Sequence, residues 1–349
     1  ILARLDGNDF LVEQVERKER KRNAPLPYTT STMQMDAANK INFRTRKTMM
    51  VAQQLYEGVS LGTGGTQGLI TYMRTDSTRI SPVAQAQAAE FITERFGSKY
   101  SKHSNKVKNA SGAQDAHEAI RPSNVNLTPE SIAKYLDKDQ LRLYTLIWNR
   151  FVASQMAAAV FDTMSVRLGQ NGVIFAANGS QIKFDGYMAV YNDADKNKML
   201  PEMSEGDTVV RTATTPEQHF TQPPARYSEA TLIKTLEENG VGRPSTYAPT
   251  IETIQKRYYV KLAAKRFEPT ELGEIVNKLI VEFFPDIVNV KFTAEMEQKL
   301  DDVEIGKEQW QKVIDGFYQP FKVELSKAEE QMEKIQIKDE PAGFDCDVC

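Results

Sequence analysis

The stretch Phe161-Asp-Thr-Met-Ser-Val-Arg167 decides the fold class of this chain, because its side-chain character repeats with a period of about two. Similar short runs, broken by Gly and Asn, follow at residues 173–177, 182–184 and 188–191, and Pro223-Pro224 ends the pattern. A period of two is typical of strands, so the sequence predicts a β-rich segment from 160 to 221.

Helical patterns lie on both sides of this segment. Thr30, Ser31 and Thr32 are N-cap candidates ahead of a run of methionines and alanines. Helices are predicted near residues 48–57, 82–96, 115–120, 129–137, 140–157, 229–238 and 246–257. Residues 58–68 contain five glycines and interrupt the helices, and residues 69–73 resemble a short strand.

The first residues indicate a further β element. Residues 1–15 alternate loosely, which predicts a strand pair around Asp6-Gly-Asn-Asp9. A charged run then ends at Arg22, and Pro25-Leu-Pro27 marks a connector because proline fixes φ and restricts its predecessor. The expected fold class is therefore α+β and multidomain, with mostly helical domains joined by a β-rich segment.

The net charge of −3 does not by itself indicate a nucleic-acid partner. Residues 223–267, however, carry eight Lys and Arg against four Glu, so a basic patch exists locally. The longest apolar run, Met156 to Phe161, is far too short for a membrane span. The two cysteines, and a start at Ile1 without a visible basic-then-apolar leader, lead us to expect a piece of a cytoplasmic protein.

Gly68-Leu-Ile-Thr-Tyr-Met-Arg-Thr-Asp-Ser77 is the first candidate catalytic segment. On an extended chain Tyr72, Arg74 and Asp76 project to the same side. A tyrosine hydroxyl becomes a useful nucleophile when nearby positive charge favours the phenolate, and Arg74 is placed to supply that charge. The alternative is a core-facing tyrosine beside a surface ion pair of Arg74 and Asp76.

Asp115-Ala-His-Glu-Ala-Ile-Arg-Pro-Ser123 is the second candidate segment. If it is helical, His117 and Arg121 share a face and both can donate to a phosphate. The zinc-protease pattern is excluded because Arg121 stands where a second histidine is required. The alternative is a structural histidine at a helix end that pairs with Glu118 or Asp115.

Residues 228–268 predict a winged helix-turn-helix: two helices around Asn239-Gly-Val-Gly242, followed by a β-hairpin. Arg243, Ser245 and Thr246 lie at the start of the second helix, where unpaired N–H groups suit a backbone phosphate. Arg257 adds charge at its end. The alternative is a helical hairpin in which the hydroxyls only cap.

Three weaker signals complete the survey. The glycine-rich loop 62–68 lacks the lysine of a P-loop, so no ATP site is predicted. Asp193 and Asp195 fit a turn better than a metal site. Cys346 and Cys349 supply half of the four ligands that structural zinc needs.

Five blocks of this sequence resemble the signature blocks of type IA DNA topoisomerases, in particular the bacterial topoisomerase I group. They occur in the family's order over nearly the whole chain, which makes the resemblance far more specific than any single block. The blocks are residues 28–32, 72–77, 116–123, 223–230 and 242–247.

The resemblance implies a role for each matching residue in the tyrosine-bearing blocks. Tyr72 would attack a single-stranded DNA phosphodiester and become linked to the 5′ phosphate. Because this new phosphodiester would keep roughly the energy of the old one, resealing would need no ATP. Arg74 would stabilise the transition state, and Asp76 would orient nearby groups. His117 and Arg121 would hold the phosphate or the neighbouring backbone.

The resemblance also implies that the winged-helix region binds DNA. Arg243, Ser245, Thr246 and Arg257 would grip the strand upstream of the cut. The partner would be the single-stranded segment of negatively supercoiled duplex DNA, which the enzyme would relax by passing a strand. The protein would act as a monomer in the bacterial cytoplasm, associated with the nucleoid and with no membrane.

The family fold is a torus, and it implies five segments in this chain. Residues 1–27 and 156–222 would form a β-rich arch. Residues 28–155 would form the helical domain with the tyrosine, and residues 223–330 would form the helical base. Residues 331–349 would be a charged tether and the start of a truncated zinc ribbon.

One departure from the family affects the expected activity. The family's N-terminal Toprim domain binds Mg²⁺ through acidic residues, and no matching acidic triad is found in this sequence. The zinc ribbons that would use Zn²⁺ are also absent beyond Cys346 and Cys349. We therefore expect the chain to bind single-stranded DNA weakly and not to relax supercoils alone.

Two other functions stay open from the sequence. The first is a winged-helix DNA-binding module in which Tyr72 is inert. The second is another tyrosine-nucleophile enzyme, such as a recombinase or the other topoisomerase class, which would form a 3′ phosphotyrosine without a divalent metal.

Overall fold

The computed structural model describes residues 4–5, 9–102, 117–191, 198–333 and 335. Two compact units make up the chain. Unit 1 comprises Ile1–Met33 and Met50–Pro224, and unit 2 comprises Gln34–Met49 and Ala225–Cys349. Each unit is therefore built from segments that are distant in sequence.

Helical stretches and β stretches follow one another along the chain, in agreement with the predicted α+β fold class. The strands are β1 (Asp9–Arg22), β2 (Val59–Ser60), β3 (Thr66–Gln67), β4 (Ala159–Gln170), β5 (Val173–Phe184), β6 (Thr208–Val210), β7 (Val260–Ala263) and β8 (Arg266–Pro269). The helices are α1 (Thr30–Lys40), α2 (Thr45–Glu57), α3 (Pro82–Phe96), α4 (Pro129–Ile132), α5 (Lys138–Ser154), α6 (Glu229–Glu238), α7 (Tyr247–Lys256), α8 (Glu271–Phe283), α9 (Val290–Glu304) and α10 (Trp310–Gln331).

Unit 1 contains an antiparallel sheet with the strand order β5-β4-β1-β6. Leu11 of β1 pairs with Gly169 of β4, and Arg22 pairs with Ala159 at the other end. β4 and β5 are joined by Asn171-Gly172, both with positive φ (49° and 72°), which suits a tight hairpin turn. The β-rich character predicted for residues 160–221 is confirmed for β4, β5 and β6, whereas residues 211–221 form no strand.

The first strand differs from its prediction. β1 continues through the charged run to Arg22, because its backbone pairs along its length with β4 and its charged side chains face solvent. Residues 6–8, where a turn between two strands was expected, lie outside the described residues. Val12, Met164 and Val166 form the buried core of this sheet.

The helical part of unit 1 is organised around α5. Asp137 and Gln140 form a capping box at its start, in which each side chain bonds the other residue's backbone N–H. The helix buries Leu143, Ile147 and Phe151. α3 has the bounds predicted for the helix 82–96, and it begins after the N-cap Ser81 with proline at its first position.

Three predicted elements of unit 1 are wrong. Residues 69–73 form no ladder strand, and only Ile70 makes an isolated bridge, to Pro122. Residues 117–120, the described end of the predicted helix 115–120, are not helical, because Ile120 pairs with Tyr28 instead. Where a strand was predicted at 188–191, a 3₁₀ turn over Gly186–Ala189 buries Tyr187 and Met188 without sheet pairing.

Unit 2 contains the predicted winged helix. α6 begins at the N-cap Ser228, α7 follows a turn, and β7 and β8 pair antiparallel as the wing. Ala264 and Lys265 turn the wing with positive φ values of 47° and 63°. The core contains Ile233, Tyr247, Ile251 and Phe267, with Met35, Leu232, Leu236 and Val260 packed against it.

Helices α8, α9 and α10 complete unit 2. Phe283, Phe284 and Ala328 form a small buried cluster there. Of the helices in the described ranges, none is both long and apolar enough to cross a lipid bilayer.

Candidate active site

Three segments of unit 1 meet through backbone hydrogen bonds and carry the first two predicted motifs. The Thr30 N–H donates to the Thr75 carbonyl (2.8 Å), and the Ile120 N–H donates to the Tyr28 carbonyl (2.8 Å). The Thr71 N–H donates to the Arg121 carbonyl (2.9 Å). Residues 28–32, 70–77 and 117–123 therefore form one connected framework.

From Tyr72 to Ser77 the side chains alternate between core and surface, although the backbone bends at Met73 and Arg74. Met73, Thr75 and Ser77 are buried. Tyr72 is half-buried, and Arg74 and Asp76 are exposed. The three predicted residues are therefore the less buried ones of this segment, and hydrogen bonds to neighbouring segments replace a regular ladder.

Tyr72 lies among aromatic rings. Its ring centroid is 5.0 Å from that of His117, tilted by 33°, and 5.4 Å from that of Tyr56 in an edge-to-face arrangement. Among the described residues, neither the Tyr72 hydroxyl nor the Arg74 guanidinium has a hydrogen-bond partner. Within the described ranges, the nucleophile candidate and the cation candidate are thus not engaged by other side chains.

Arg121 was predicted to bind a phosphate, but its guanidinium is instead engaged by its own segment. Its Nε donates to Glu118 Oε2 (2.7 Å), and its Nη1 donates to the Pro122 carbonyl (3.0 Å). Burial by itself would raise the pKa of Glu118, but the hydrogen bond and charge of Arg121, with hydrogen bonds from Ser81, lower that pKa below its usual value. The shared helix face expected for His117 and Arg121 does not exist.

Two threonine hydroxyls that the motif search did not select fasten this framework. Thr71 Oγ1 donates to the Ala119 carbonyl (2.7 Å) and accepts from the Arg121 N–H (3.0 Å). Thr30 Oγ1 donates to the Met73 carbonyl (2.7 Å) and accepts from the Thr75 N–H (2.9 Å). Thr30 was identified as an N-cap candidate and as part of the block 28–32, with no role of its own, because no local pattern reveals bonds to residues more than forty positions away.

In unit 2, Arg243 lies between two carboxylates. Its Nη2 donates to Asp301 Oδ2 (2.7 Å), and its Nε lies 3.5 Å from Glu297 Oε2. Burial would lower the pKa of Arg243, but its hydrogen bond to Asp301 and the charges of both acids raise it above its usual value. Arg243 is thus a permanent cation, paired within the unit.

The other predicted DNA contacts of unit 2 lie on its surface. Ser245, Thr246 and Arg257 are exposed. Thr246 Oγ1 accepts from the Arg243 N–H (2.8 Å), so this hydroxyl builds the turn before α7. Arg257 follows the last residue of α7.

A buried carboxylate ties the start of the winged helix to residues 44–45. Glu229 Oε1 accepts from Arg44 Nε (2.8 Å), and Glu229 Oε2 accepts from the Thr45 N–H (2.8 Å) and Thr45 Oγ1 (2.9 Å). Arg46 also pairs with Glu252 of α7. The sequence analysis missed this cluster because its members are nearly 190 residues apart.

No group of three or more His, Cys, Asp or Glu side chains converges within the described ranges. Near Tyr72, Glu118 is engaged by Arg121 and Asp76 is a single exposed carboxylate. These residues do not fit a complete magnesium site. Cys346, Cys349, Asp193 and Asp195 lie outside the described residues.

Comparison with known proteins agrees with this architecture. A family model described as DNA topoisomerase matches residues 1–315. The structure is similar to that of full-length topoisomerase I from Thermotoga maritima, with 39% sequence identity and a TM-score of 0.84. The match covers 98% of this chain and 56% of that one, so the chain spans about half the length of this relative. The chain belongs to the type IA DNA topoisomerase family.

Proposed function

We propose that this chain is the tyrosine-bearing part of an ATP-independent topoisomerase that cuts one DNA strand, passes a strand through the break and reseals it, thereby relaxing negative supercoils. The observation that carries the proposal is the position of Tyr72. Its half-buried ring contacts His117, its hydroxyl is available, and the exposed cation Arg74 follows two residues later.

The proposed reaction exchanges one phosphodiester for another. The Tyr72 Oη attacks the phosphorus, a bond forms between them, and the bond from phosphorus to the 3′ oxygen breaks. The phenolic proton leaves the tyrosine, and the departing 3′ oxygen gains a proton. Because the new ester keeps roughly the energy of the old one, the reverse step reseals the strand without ATP.

Charge near the phosphorus supports this reaction. Arg74 would stabilise the negative charge that develops on the phosphoryl oxygens. His117, whose ring lies beside that of Tyr72, would contact the same phosphate. Asp76 would orient nearby groups. Arg121 would act on DNA only by leaving Glu118, so we propose that it chiefly holds the 117–123 segment in place.

We propose that unit 2 binds the sugar-phosphate backbone of single-stranded DNA. Exposed Ser245, Thr246 and Arg257 border α7, and Arg243 is a partly exposed cation at the same turn. Backbone contacts with little base readout suit an enzyme that acts at many sequences. Monomeric action in the bacterial cytoplasm, and the nucleoid association, belong to the same proposal.

The family is consistent with the use of Mg²⁺, whose charge would assist phosphoryl chemistry when it is bound. Because the described residues do not fit a magnesium site, we propose that its ligands lie in a Toprim domain outside this chain, and that the chain alone does not relax DNA. A zinc ribbon starting at Cys346 and Cys349, and the arch formed by residues 1–27 and 156–222, are further parts of the proposal.

Single-stranded DNA labelled at its 3′ end provides the test. The chain is incubated with this DNA and Mg²⁺, with and without a separately made Toprim domain, and separated on a denaturing gel. We expect a labelled protein adduct only with the added domain. Tyr72→Phe should abolish it, whereas Tyr318→Phe, on exposed α10, should leave it intact.

The result that contradicts the proposal is equally specific. An adduct only with 5′-labelled DNA would indicate a 3′ phosphotyrosine and hence another class of tyrosine enzyme. DNA binding without any adduct, even with the added domain, would favour a winged-helix binding module, for which the α6–α7 pair and its wing are the supporting observation.

A further inference from the structure

We infer that Thr30 is a positioning residue for Arg74: its buried hydroxyl holds the backbone on both sides of that arginine. The inference rests on the proposed function, because it assigns to Arg74 a role at the phosphate. Thr30 itself would touch neither DNA nor the tyrosine.

Thr30 contacts the two residues that flank Arg74. Its Oγ1 donates to the Met73 carbonyl (2.7 Å), which precedes Arg74, and accepts from the Thr75 N–H (2.9 Å), which follows it. The Thr30 N–H donates to the Thr75 carbonyl (2.8 Å). Thr30 is 0% exposed, so water cannot replace these bonds. One side chain thus fixes the peptide units on either side of Arg74.

Helix capping does not account for this hydroxyl. At the start of α1, Thr29 Oγ1 accepts from the Thr32 N–H (3.3 Å), and Thr32 Oγ1 accepts from the Thr29 N–H (2.9 Å). These two side chains form a reciprocal cap of their own. Thr30 is the first residue of α1, and its hydroxyl bonds the segment that carries Arg74 rather than the helix.

Arg74 depends on such support because nothing else in the described part of unit 1 directs it. Its side chain is exposed and has no hydrogen-bond or ion-pair partner among those residues. Its direction therefore follows from the backbone that carries it. Catalytic groups tolerate little displacement, and a misplacement of about 1 Å can reduce a rate by about a hundredfold.

The test compares Thr30→Val, which keeps the shape but removes the hydroxyl, with Thr30→Ser, which keeps the hydroxyl. In the full-length protein that carries this sequence, with Mg²⁺, we expect Thr30→Val to slow adduct formation with single-stranded DNA about tenfold or more. The Kd for that DNA should change less than about twofold, because Thr30 makes no DNA contact. Thr30→Ser and the control Thr93→Val, whose hydroxyl bonds only its own helix, should stay near the wild-type rate.

Repeating the comparison in an Arg74→Ala variant separates a positioning effect from a general loss of structure. If Thr30 acts through Arg74, Thr30→Val should slow the residual reaction of Arg74→Ala by less than about twofold, so that the two changes are not additive. Equal rate losses in both backgrounds would overturn the inference. If Thr30→Val does not fold, Thr30→Cys, which keeps the volume but is a weak donor, replaces it in the same cycle.

Hydrogen exchange keeps this inference distinct from the proposed function. Loss of the bond to Thr30 should make the Thr75 amide exchange about five- to tenfold faster, as expected for one hydrogen bond. If the wild-type protein forms no adduct, the proposed function fails, and the Arg74 role fails with it. Unchanged exchange at Thr75 in Thr30→Val would instead refute the clamp alone, even where the adduct forms.

Discussion

The contact between Arg243 and α9 predicts how DNA binding responds to the removal of one charge. Arg243 Nη2 lies 2.7 Å from Asp301 Oδ2, and Arg243 Nε lies 3.5 Å from Glu297 Oε2. A DNA phosphate that binds this guanidinium must compete with both carboxylates. Asp301→Asn removes the closer charge, so we expect it to strengthen binding of single-stranded DNA.

The magnitude follows from the exposure of the pair. The side chains of Arg243 and Asp301 are 33% and 43% exposed, so solvent screens their attraction considerably. Such pairs contribute about 0.2–1 kcal/mol, and about 1.4 kcal/mol corresponds to a tenfold change in Kd. The expected decrease in Kd for Asp301→Asn is therefore about 1.4- to fivefold, and Glu297 limits it to the lower part of this range.

Fluorescence anisotropy with a labelled single-stranded oligonucleotide measures this change directly. Asp302→Asn is the matched control, because it removes the same charge from the next position of α9. Asp302 lies 3.9 Å from Lys307 and, unlike Asp301, forms no hydrogen bond or ion pair with Arg243 in the described part of α9. A general electrostatic effect would be the same for both variants and would weaken with added salt.

Equal affinities of the Asp301→Asn and Asp302→Asn variants would refute this reasoning, since net charge alone would then explain the gain. The competition with Arg243 also requires that Arg243→Ala remove the advantage of Asp301→Asn. If the advantage persisted in that background, the carboxylate would act elsewhere.

Three further predictions concern stability. Gly316→Ala in α10 should raise the free energy of unfolding by about 0.5–1 kcal/mol, because a Cβ there meets open space. Gly273→Ala should instead lower that free energy, because its Cβ would overlap the Tyr259 carbonyl, and urea unfolding of both variants tests the contrast. Glu229→Ala should lower that free energy by about 2–4 kcal/mol, since it leaves buried donors without their acceptor, and an effect under about 0.5 kcal/mol would contradict the buried cluster. Burial raises the pKa of the Tyr144 hydroxyl above its usual value of about 10, so the unfolded state loses this proton first. Stability should therefore fall as the pH rises above about 10, and thermal unfolding should show a smaller loss for Tyr144→Phe.

The winged helix shows how far local signals reach. Ser228 as an N-cap, a glycine turn and a short hairpin are all encoded by neighbouring residues, and the structure confirms α6, α7, β7 and β8 within a residue or two of the expected bounds. The alternation of buried and less buried side chains from Tyr72 to Ser77 was likewise predictable from the residue pattern, even though the backbone bends at Met73 and Arg74.

The second motif shows where local signals end. A helix was expected around His117, yet the N–H groups of Ile120 and Arg121 bond the Tyr28 carbonyl and Thr71 Oγ1, both distant in sequence. A helix requires those N–H groups for bonds within itself. Nonlocal acceptors therefore decided the conformation, and periodicity could not reveal them.

By itself, the sequence determined the fold class, the helices with strong caps, the winged helix and the blocks that identify the family, because each depends on residues close along the chain. Only the tertiary structure decided which groups meet: the Tyr72 ring with His117, Thr30 with both neighbours of Arg74, and Arg243 with the acids of α9. Such contacts join residues separated by some forty to sixty positions. Their partners are selected by how the whole unit packs and by the need to satisfy buried polar groups, which no short pattern encodes.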